Sequence, residues 1–128
     1  MKFSLIMVEV LTFNHHYYPG YKSGGALRTI VNMVEQIGNN IQFNIVTSDR
    51  DLGDVKAYSG IKINRWDKVG NANIYYKNEV SSFFELIKII NNTDYDLVYL
   101  NSFFDYNYSI KILLCLRLIK SKKQIIIA

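Results

Sequence analysis

The residues best suited to chemistry are gathered in one stretch, "YYPGYKSGGALRT" at positions 17–29, which holds the only proline and three of the seven glycines of the chain. Gly24 and Gly25 stand at the head of an amphipathic segment, with Arg28 in its first turn. A helix start carries N–H groups without intrahelical partners, and the aligned peptide dipoles add partial positive charge there, so an anion is favoured. A glycine lets that anion approach the backbone, and Arg28 can add a bidentate, charge-assisted contact to phosphate or carboxylate. The plainer alternative is a flexible helix entry, with Arg28 on the solvent face beside Asn32 and Glu35. Ahead of the glycines, Tyr17, Tyr18, Tyr21 and Lys22 suit a loop that meets a polar acceptor, because each tyrosine joins a stacking face to a hydroxyl. Surface aromatics on a mobile loop are the alternative for them.

Two nucleotide motifs are excluded by spacing. A dinucleotide fingerprint requires G-x-G-x-x-G in a tight turn after a strand, and Gly20, Gly24 and Gly25 are spaced otherwise. A P-loop requires Lys-Ser or Lys-Thr after its last glycine, where this chain has Ala26-Leu27. Asp49, Asp51 and Asp54 surround Arg50, but an EF-hand places glycine sixth and an acid twelfth, and those positions hold Asp54 and Gly60. A loop whose carboxylates accept backbone N–H groups or pair with Arg50 is the better reading. His15 and His16 are adjacent, so on a strand they point to opposite sides and do not form one metal site; two exposed loop histidines are expected. Cys115, the single cysteine, lies in the apolar run "SIKILLCLRLI" and reads as a buried, inert thiol. No metal site is expected.

The elements that position these residues alternate in type. Residues 3–11, "IQFNIVTS" (41–48), "ANIYY" (72–76), "DLVYL" (96–100) and "KQIIIA" (123–128) are β-branched and aromatic runs of strand length. Helical periodicity lies between them. Leu27, Ile30, Val31, Val34 and Ile37 form one stripe, stopped by Gly38. Phe83, Phe84, Leu86, Ile87 and Ile90 form a second, with Ser81 or Ser82 as N-cap and Asn91-Asn92 closing it. Ile110, Leu113, Leu114, Arg117 and Leu118 form a third. Residues 49–71 are irregular, with "IKINRW" (61–66) as an extra short strand. The pattern predicts an α/β fold: a Rossmann-like open parallel sheet with helices on both faces. In such sheets ligands bind beyond the carboxyl ends of the strands, where the loop after the first strand begins.

At 128 residues, 49% hydrophobic and 20% charged, the chain is expected to form a single globular domain. The net charge of +4 comes from scattered lysines, with one tight group at Lys120, Lys122 and Lys123 that reads as a solvated helix end. There is no basic stripe or RNA-binding aromatic pair, so nucleic acid is not an expected partner. The excess is compatible with an anionic small molecule or a membrane surface. Glu9 interrupts the N-terminal apolar run and no cleavage site follows, which reads as a first strand in a cytoplasmic protein. The strand ending at Ala128 has no helix after it; it is either an edge strand or the end of a front piece of a longer protein, and the latter is the expectation.

The apolar first strand, the aromatic and proline-bearing loop, "YKSGGALRTIVNMVE" and "TSDRDLGD" together resemble the N-terminal domain of retaining family 4 glycosyltransferases of GT-B fold, bacterial surface-polysaccharide type. The likeness covers nearly the whole chain. It implies transfer of a sugar from a nucleotide-sugar to a glycan or lipid-linked acceptor with retention. It also implies a second, donor-binding C-terminal domain that these residues do not include, so that this piece alone is expected to be inactive. No cofactor beyond the nucleotide-sugar substrate is implied, and a position at the inner face of the membrane fits lipid-linked acceptors. Gly24, Gly25 and Arg28 match the family's elements near the donor diphosphate or an acceptor anion. With Tyr18, Tyr21 and Lys22 of the tyrosine-rich loop as expected acceptor-binding residues, Asn101 and Ser102 could orient acceptor hydroxyls, and Phe103 or Phe104 could stack on a sugar ring or instead pack in the core of their loop. After "DLVYL" the wider family often has a histidine or acid; here the residues are "NSFFD", so no acid-base group is expected there. The competing reading is a stand-alone flavodoxin-like binding or regulatory module.

Overall fold

The structure, a computed structural model, describes residues 7–78, 82–102 and 104–128. Six strands form one open sheet: β1 (Val8–Phe13), β2 (Ile41–Ser48), β3 (Trp66–Val69), β4 (Ala72–Lys77), β5 (Leu97–Leu100) and β6 (Gln124–Ile127), in the order β3-β4-β2-β1-β5-β6. Every neighbouring pair is parallel except β3 with β4, a hairpin at the edge. Its two-residue turn is Gly70-Asn71, where Gly70 takes a φ of 60° that a side chain would strain. The helices are α1 (Gly25–Ile37), α2 (Phe83–Asn91) and α3 (Lys111–Leu118), the last preceded by a single π-helical turn, Tyr106–Ile110.

Side chains alternate across β1, so the sheet divides the core in two. Leu11 and Phe13 pack with Leu86 and Ile90 of α2 and with Ile112, Cys115 and Leu116 of α3. Val10 packs on the opposite face with Leu27, Ile30 and Val34 of α1. Each such fully buried aliphatic side chain contributes about 1.5–3 kcal/mol relative to exposure. The fold is thus an open, mostly parallel α/β sheet with helices on both faces, of Rossmann-like kind. From β1 the chain passes to β2 on one side, and β5 pairs with β1 on the other, so strand order reverses at β1.

Local sequence explains most boundaries. Ser82 caps α2 by accepting a hydrogen bond from the Glu85 amide at 3.2 Å, and Asn92 follows its last residue; Ser81 lies outside the described residues. Helix α1 starts on Gly24 at φ 75° and ends at Gly38, with Val31 half-buried and Ile37 exposed. Residues 3–6 of the expected first strand lie outside the described residues, and β1 runs on to Phe13.

Two expectations are corrected. The extra strand is not residues 61–66 but 66–69: the left-handed backbone of Asn64, φ 61°, interrupts the alternation, leaving only a bridge between Ile63 and Tyr76 ahead of it. The third helix does not bury Ile110, Leu114, Arg117 and Leu118, all of which are exposed; Tyr108, Ile112, Cys115 and Leu116 face the core. That run is apolar nearly all round, so periodicity singles out no face, and the packing of Tyr108 beneath the β1 loop sets the rotation. Strand β6 is an edge strand, exposed on both faces.

Candidate functional site

At the carboxyl end of the sheet, the loop after β1 stays tied to β2. The Asn14 amide donates to the Val46 carbonyl at 3.1 Å, and the Ser48 amide and Thr47 hydroxyl both donate to the His15 carbonyl. With its backbone so fixed, the His15 ring lies between two others: His16 at 4.2 Å and 7° between planes, and Tyr108 at 4.7 Å and 19°. His15 Nδ1 is 2.8 Å from Asp105 Oδ2. The other Asp105 oxygen accepts the Tyr108 amide at 3.0 Å, capping the π-turn. One carboxylate therefore both starts the third helical segment and orients the imidazole.

Burial alone would push the Asp105 carboxyl up. The hydrogen bond and charge of His15, with the amides of Tyr108 and Asn107, outweigh it and hold the group below the usual carboxylate value. When the ring is neutral, ionised Asp105 accepts a hydrogen from Nδ1 and Nε2 is the acceptor nitrogen. Among the described residues, no hydrogen bond engages that second nitrogen. His15, Asp105, Asn14, Ser23, Ser102 and Tyr108 line a cavity of about 210 Å³ at the strand-order reversal. Phe13, Ala26 and Leu52 also line it, so it is a hollow of mixed character with one oriented imidazole that can meet a hydroxyl.

A second hollow, about 230 Å³, lies beside it over the start of α1 and is lined by Tyr18, Pro19, Tyr21, Gly24, Leu27 and Arg28 among others. Four of the expected site residues, Tyr18, Tyr21, Gly24 and Arg28, thus come together. Gly25 opens α1 with empty space where a Cβ would stand, and neither a capping side chain nor an acidic residue occupies the first turn. Arg28 is exposed at the rim. The loop's shape is held from below by Asp51, a buried carboxylate accepting the amides of Tyr21 at 3.0 Å, Lys22 at 3.3 Å and Leu52 at 2.8 Å. Gly20 fits under this clasp because a Cβ there would collide with the Tyr58 hydroxyl and lie 3.0 Å from Asp51 Oδ1. The Tyr18-Pro19 peptide is cis. Asp49 pairs with Arg50 at 2.8 Å, so the acidic loop is the hydrogen-bonded loop its sequence suggests.

The remaining expected residues are spread differently. Lys22 turns to Asp54, 2.6 Å away, and does not line the hollow of Tyr18 and Arg28. Asn101 is a brace: its Nδ2 donates to the Ala26 carbonyl at 2.8 Å and to Asn14 Oδ1 at 3.3 Å, while its Oδ1 accepts the Tyr99 hydroxyl. It joins the β5 end, the β1 loop and the first turn of α1. Ser102 lines the His15 cavity, and its carbonyl accepts the Ser109 hydroxyl. Phe103 lies outside the described residues; Phe104 is exposed. Tyr17 is not a loop-surface aromatic but is 4% exposed in the core beneath α1, since its ring packs in the cluster of Leu27, Ile30 and Val34. His16 is buried as well, against the expectation of two exposed histidines, because the chain has left the strand and the two rings stack.

The meeting of an imidazole from the β1 loop with a carboxylate from the β5 loop is not announced by any single run of the sequence. The available signal was Asp105 three residues ahead of Tyr108, a capping spacing. Comparison of the chain with protein-family models, curated proteins and solved structures finds no match. Among the described residues, no group of three or more His, Cys, Asp or Glu could hold a metal ion, and no helix is long and apolar enough to cross a membrane.

Proposed function

We propose that this chain is the acceptor-side domain of a glycosyltransferase of GT-B fold, moving a sugar from a nucleotide-sugar to a glycan or lipid-linked acceptor with retention in surface-polysaccharide synthesis. The observation that carries the reading is the convergence, at the strand-order reversal, of an oriented imidazole, an uncapped helix start and Arg28. In this reading the His15 cavity takes the acceptor hydroxyl. His15 Nε2 accepts its hydrogen bond, Ser102 and Asn14 lie within the same cavity, and Asn101 keeps the β5 end in register with α1. The start of α1 with Arg28 takes an anionic group, the donor diphosphate or an acceptor phosphate, and Tyr18 and Tyr21 cover its other side. The reaction needs a donor-binding half in addition to these residues. A cytoplasmic position at the inner membrane face is part of the same proposal.

The test is to express the complete native reading frame and measure nucleotide release from a panel of nucleotide-sugars, with soluble and lipid-linked glycan acceptors. Acceptor-dependent release with one donor is expected. A folded full-length product that binds no nucleotide-sugar and transfers none would overturn the proposal in favour of a binding module.

A further inference from the structure

A third cavity, of about 280 Å³, lies between α1 and the β3-β4 hairpin, next to the hollow of Arg28 and sharing Tyr18 and Val31 with it. Val31, Val34 and Glu35 present one face of the helix at i, i+3 and i+4, and Val69, Gly70 and Asn71 meet them from the hairpin turn. Gly38 lets helix and hairpin approach, since a Cβ there would lie 2.9 Å from the Asn71 Cβ. Tyr17 is 4% exposed and lines the cavity. Its hydroxyl bonds to no described residue and is not among the polar atoms sealed from solvent, so it opens into the cavity. A buried hydroxyl without a partner costs free energy that a ligand atom can recover. Of the lining residues only Glu35 is charged, and no described residue forms an ion pair with it. Its charge reaches the Tyr17 phenol, adding to the rise that burial causes. Asp67 stands two residues before Val69 on the same strand face, whereas Lys68 shares the opposite face with Trp66. Arg28 lines the adjoining hollow and not this one.

We propose that this cavity binds a primary ammonium group carried on a small apolar body. The ammonium donates to the Glu35 carboxylate and to the Tyr17 phenol oxygen, and the Tyr18 ring offers it an aromatic face. Val31, Val34 and Val69 take the apolar body. The volume stands near the lower end of the range for small-ligand sites, roughly 300 Å³, which suits a ligand of one ring or a short chain. Glu35 repels an anion, and one carboxylate with one phenol supplies too few hard oxygen ligands for a calcium or magnesium ion. The proposal does not depend on the transferase reading.

The isotope-labelled full chain is titrated at neutral pH, under nuclear magnetic resonance, with phenethylamine, with phenethyl alcohol as its neutral counterpart and with hydrocinnamate as its anionic one. Saturable shifts of the Val31, Glu35, Gly70 and Asn71 amides are expected with the amine at millimolar concentration or below. Its binding is expected to be about tenfold tighter than that of the alcohol, the scale of a hydrogen bond to a charged group, and hydrocinnamate is expected to cause no such shifts. Glu35 is exposed, so Glu35→Gln leaves the core untouched and is expected to weaken the amine about tenfold. Tyr17→Phe keeps the ring and is expected to weaken it severalfold. Equal binding of the alcohol, tighter binding of hydrocinnamate, shifts centred elsewhere in the chain, no saturation by the amine at millimolar concentration, or undiminished affinity in Glu35→Gln would each overturn the proposal. Should Tyr17→Phe disturb amides throughout the fold, Glu35→Gln decides alone.

Discussion

His15 and Asp105 stand 90 residues apart in the chain and 2.8 Å apart in the fold, one from the loop after β1 and the other from the loop after β5. The contact closes the strand-order reversal across its mouth and determines which imidazole nitrogen faces the cavity. On the proposed transferase reading, His15→Ala is expected to lower kcat/KM by about tenfold, the scale of one neutral hydrogen bond, with the anomeric configuration of the product retained. Asp105→Asn keeps an oxygen for the Tyr108 amide but loses the charge on Nδ1, and a similar loss is expected with little change in fold. The check is kinetics with a nuclear magnetic resonance assignment of the product anomer. A fall of about 10³ with loss of the acidic limb of the pH profile, the scale of general-base catalysis, together with an inverted product, would make His15 the base and refute retention.

Gly24 and Gly25 separate backbone need from ligand need. Gly24 has φ 75° and ψ −127°, a region that side chains avoid, so Gly24→Ala is expected to cost about 1–3 kcal/mol of stability. A methyl group added at Gly25 would meet nothing within 4 Å, and Gly25→Ala is expected to stabilise α1 by about 0.4–1 kcal/mol through the unfolded chain. The same added methyl stands at the helix start, so the more stable variant should bind a nucleotide-sugar or phosphorylated acceptor more weakly. Urea unfolding and calorimetric titration check the two halves. Gain of stability with unchanged binding would show that no anion approaches there.

The legible part of this molecule is what local periodicity encodes. Strand β2 falls on its expected residues, Leu27, Ile30 and Val34 turn inward, and Ser82 caps α2. The pairing of Asp51 with the glycine-rich loop was legible only as a class, a carboxylate that accepts backbone amides, because its partners Tyr21 and Lys22 lie about 30 residues away. The His15-Asp105 contact was not legible, since it depends on β5 lying next to β1, and adjacency of strands is a property of topology rather than of any local run. The same cause misplaced the face of α3: with apolar residues on nearly every side, the inward face is set by tertiary packing, of Tyr108 on His15 and of Ile112, Cys115 and Leu116 against β1 and α2.

Arg28 is exposed at the rim of the hollow formed by Tyr18, Tyr21 and Gly24, so its removal leaves the core untouched. Arg28→Ala is expected to leave the melting temperature within about a degree or two, the range of surface substitutions. On the proposed transferase reading it should weaken the productive donor or acceptor complex by about 1–3 kcal/mol, the scale of a hydrogen bond to a charged group. Arg28→Lys should recover only part, because an ammonium lacks the planar fork. Unchanged transfer kinetics in the alanine variant would remove Arg28 from the site.

Asp51 ties stability to acid. Burial raises its carboxyl, but the amides of Tyr21, Leu52 and Lys22 and the Lys22 charge together bring it below the ordinary value. Its contribution is therefore present above the unfolded carboxylate value of about 3.9 and is lost as the pH falls through the lower folded value. Asp51→Asn is expected to cost about 1.5–3 kcal/mol at neutral pH, the scale of hydrogen bonds to a charged acceptor, and to flatten the fall in stability below pH ~4. Denaturant unfolding between neutrality and acid checks both. A variant as stable as the parent would show that the clasp on the glycine-rich loop adds nothing.

At the alkaline end the tyrosines beneath the same loop take over. Burial pushes the Tyr17 hydroxyl up to about 12, with the Glu35 charge adding to it, and burial raises Tyr58 and Tyr76 as well. A phenol whose folded value is raised keeps its proton when the unfolded chain has released its own near pH ~10. Between that value and about 12 for Tyr17, the folded state binds more protons than the unfolded one, so stability falls as pH rises. Each such tyrosine contributes up to about 1.4 kcal/mol per pH unit to the fall. Tyr58 donates to the Tyr17 carbonyl and Tyr76 to the Tyr18 carbonyl, so truncating either would also remove a hydrogen bond. Tyr17→Phe is the cleaner variant: it keeps the ring that packs under α1 and deletes only the titrating group. Its unfolding free energy should decline less steeply from pH 9 to 11, by one tyrosine's share. The phenolate absorbance of Tyr17, read as the difference between parent and variant, should rise together with loss of structure; an identical pH slope in parent and variant would show that Tyr17 ionises as freely in the fold as outside it.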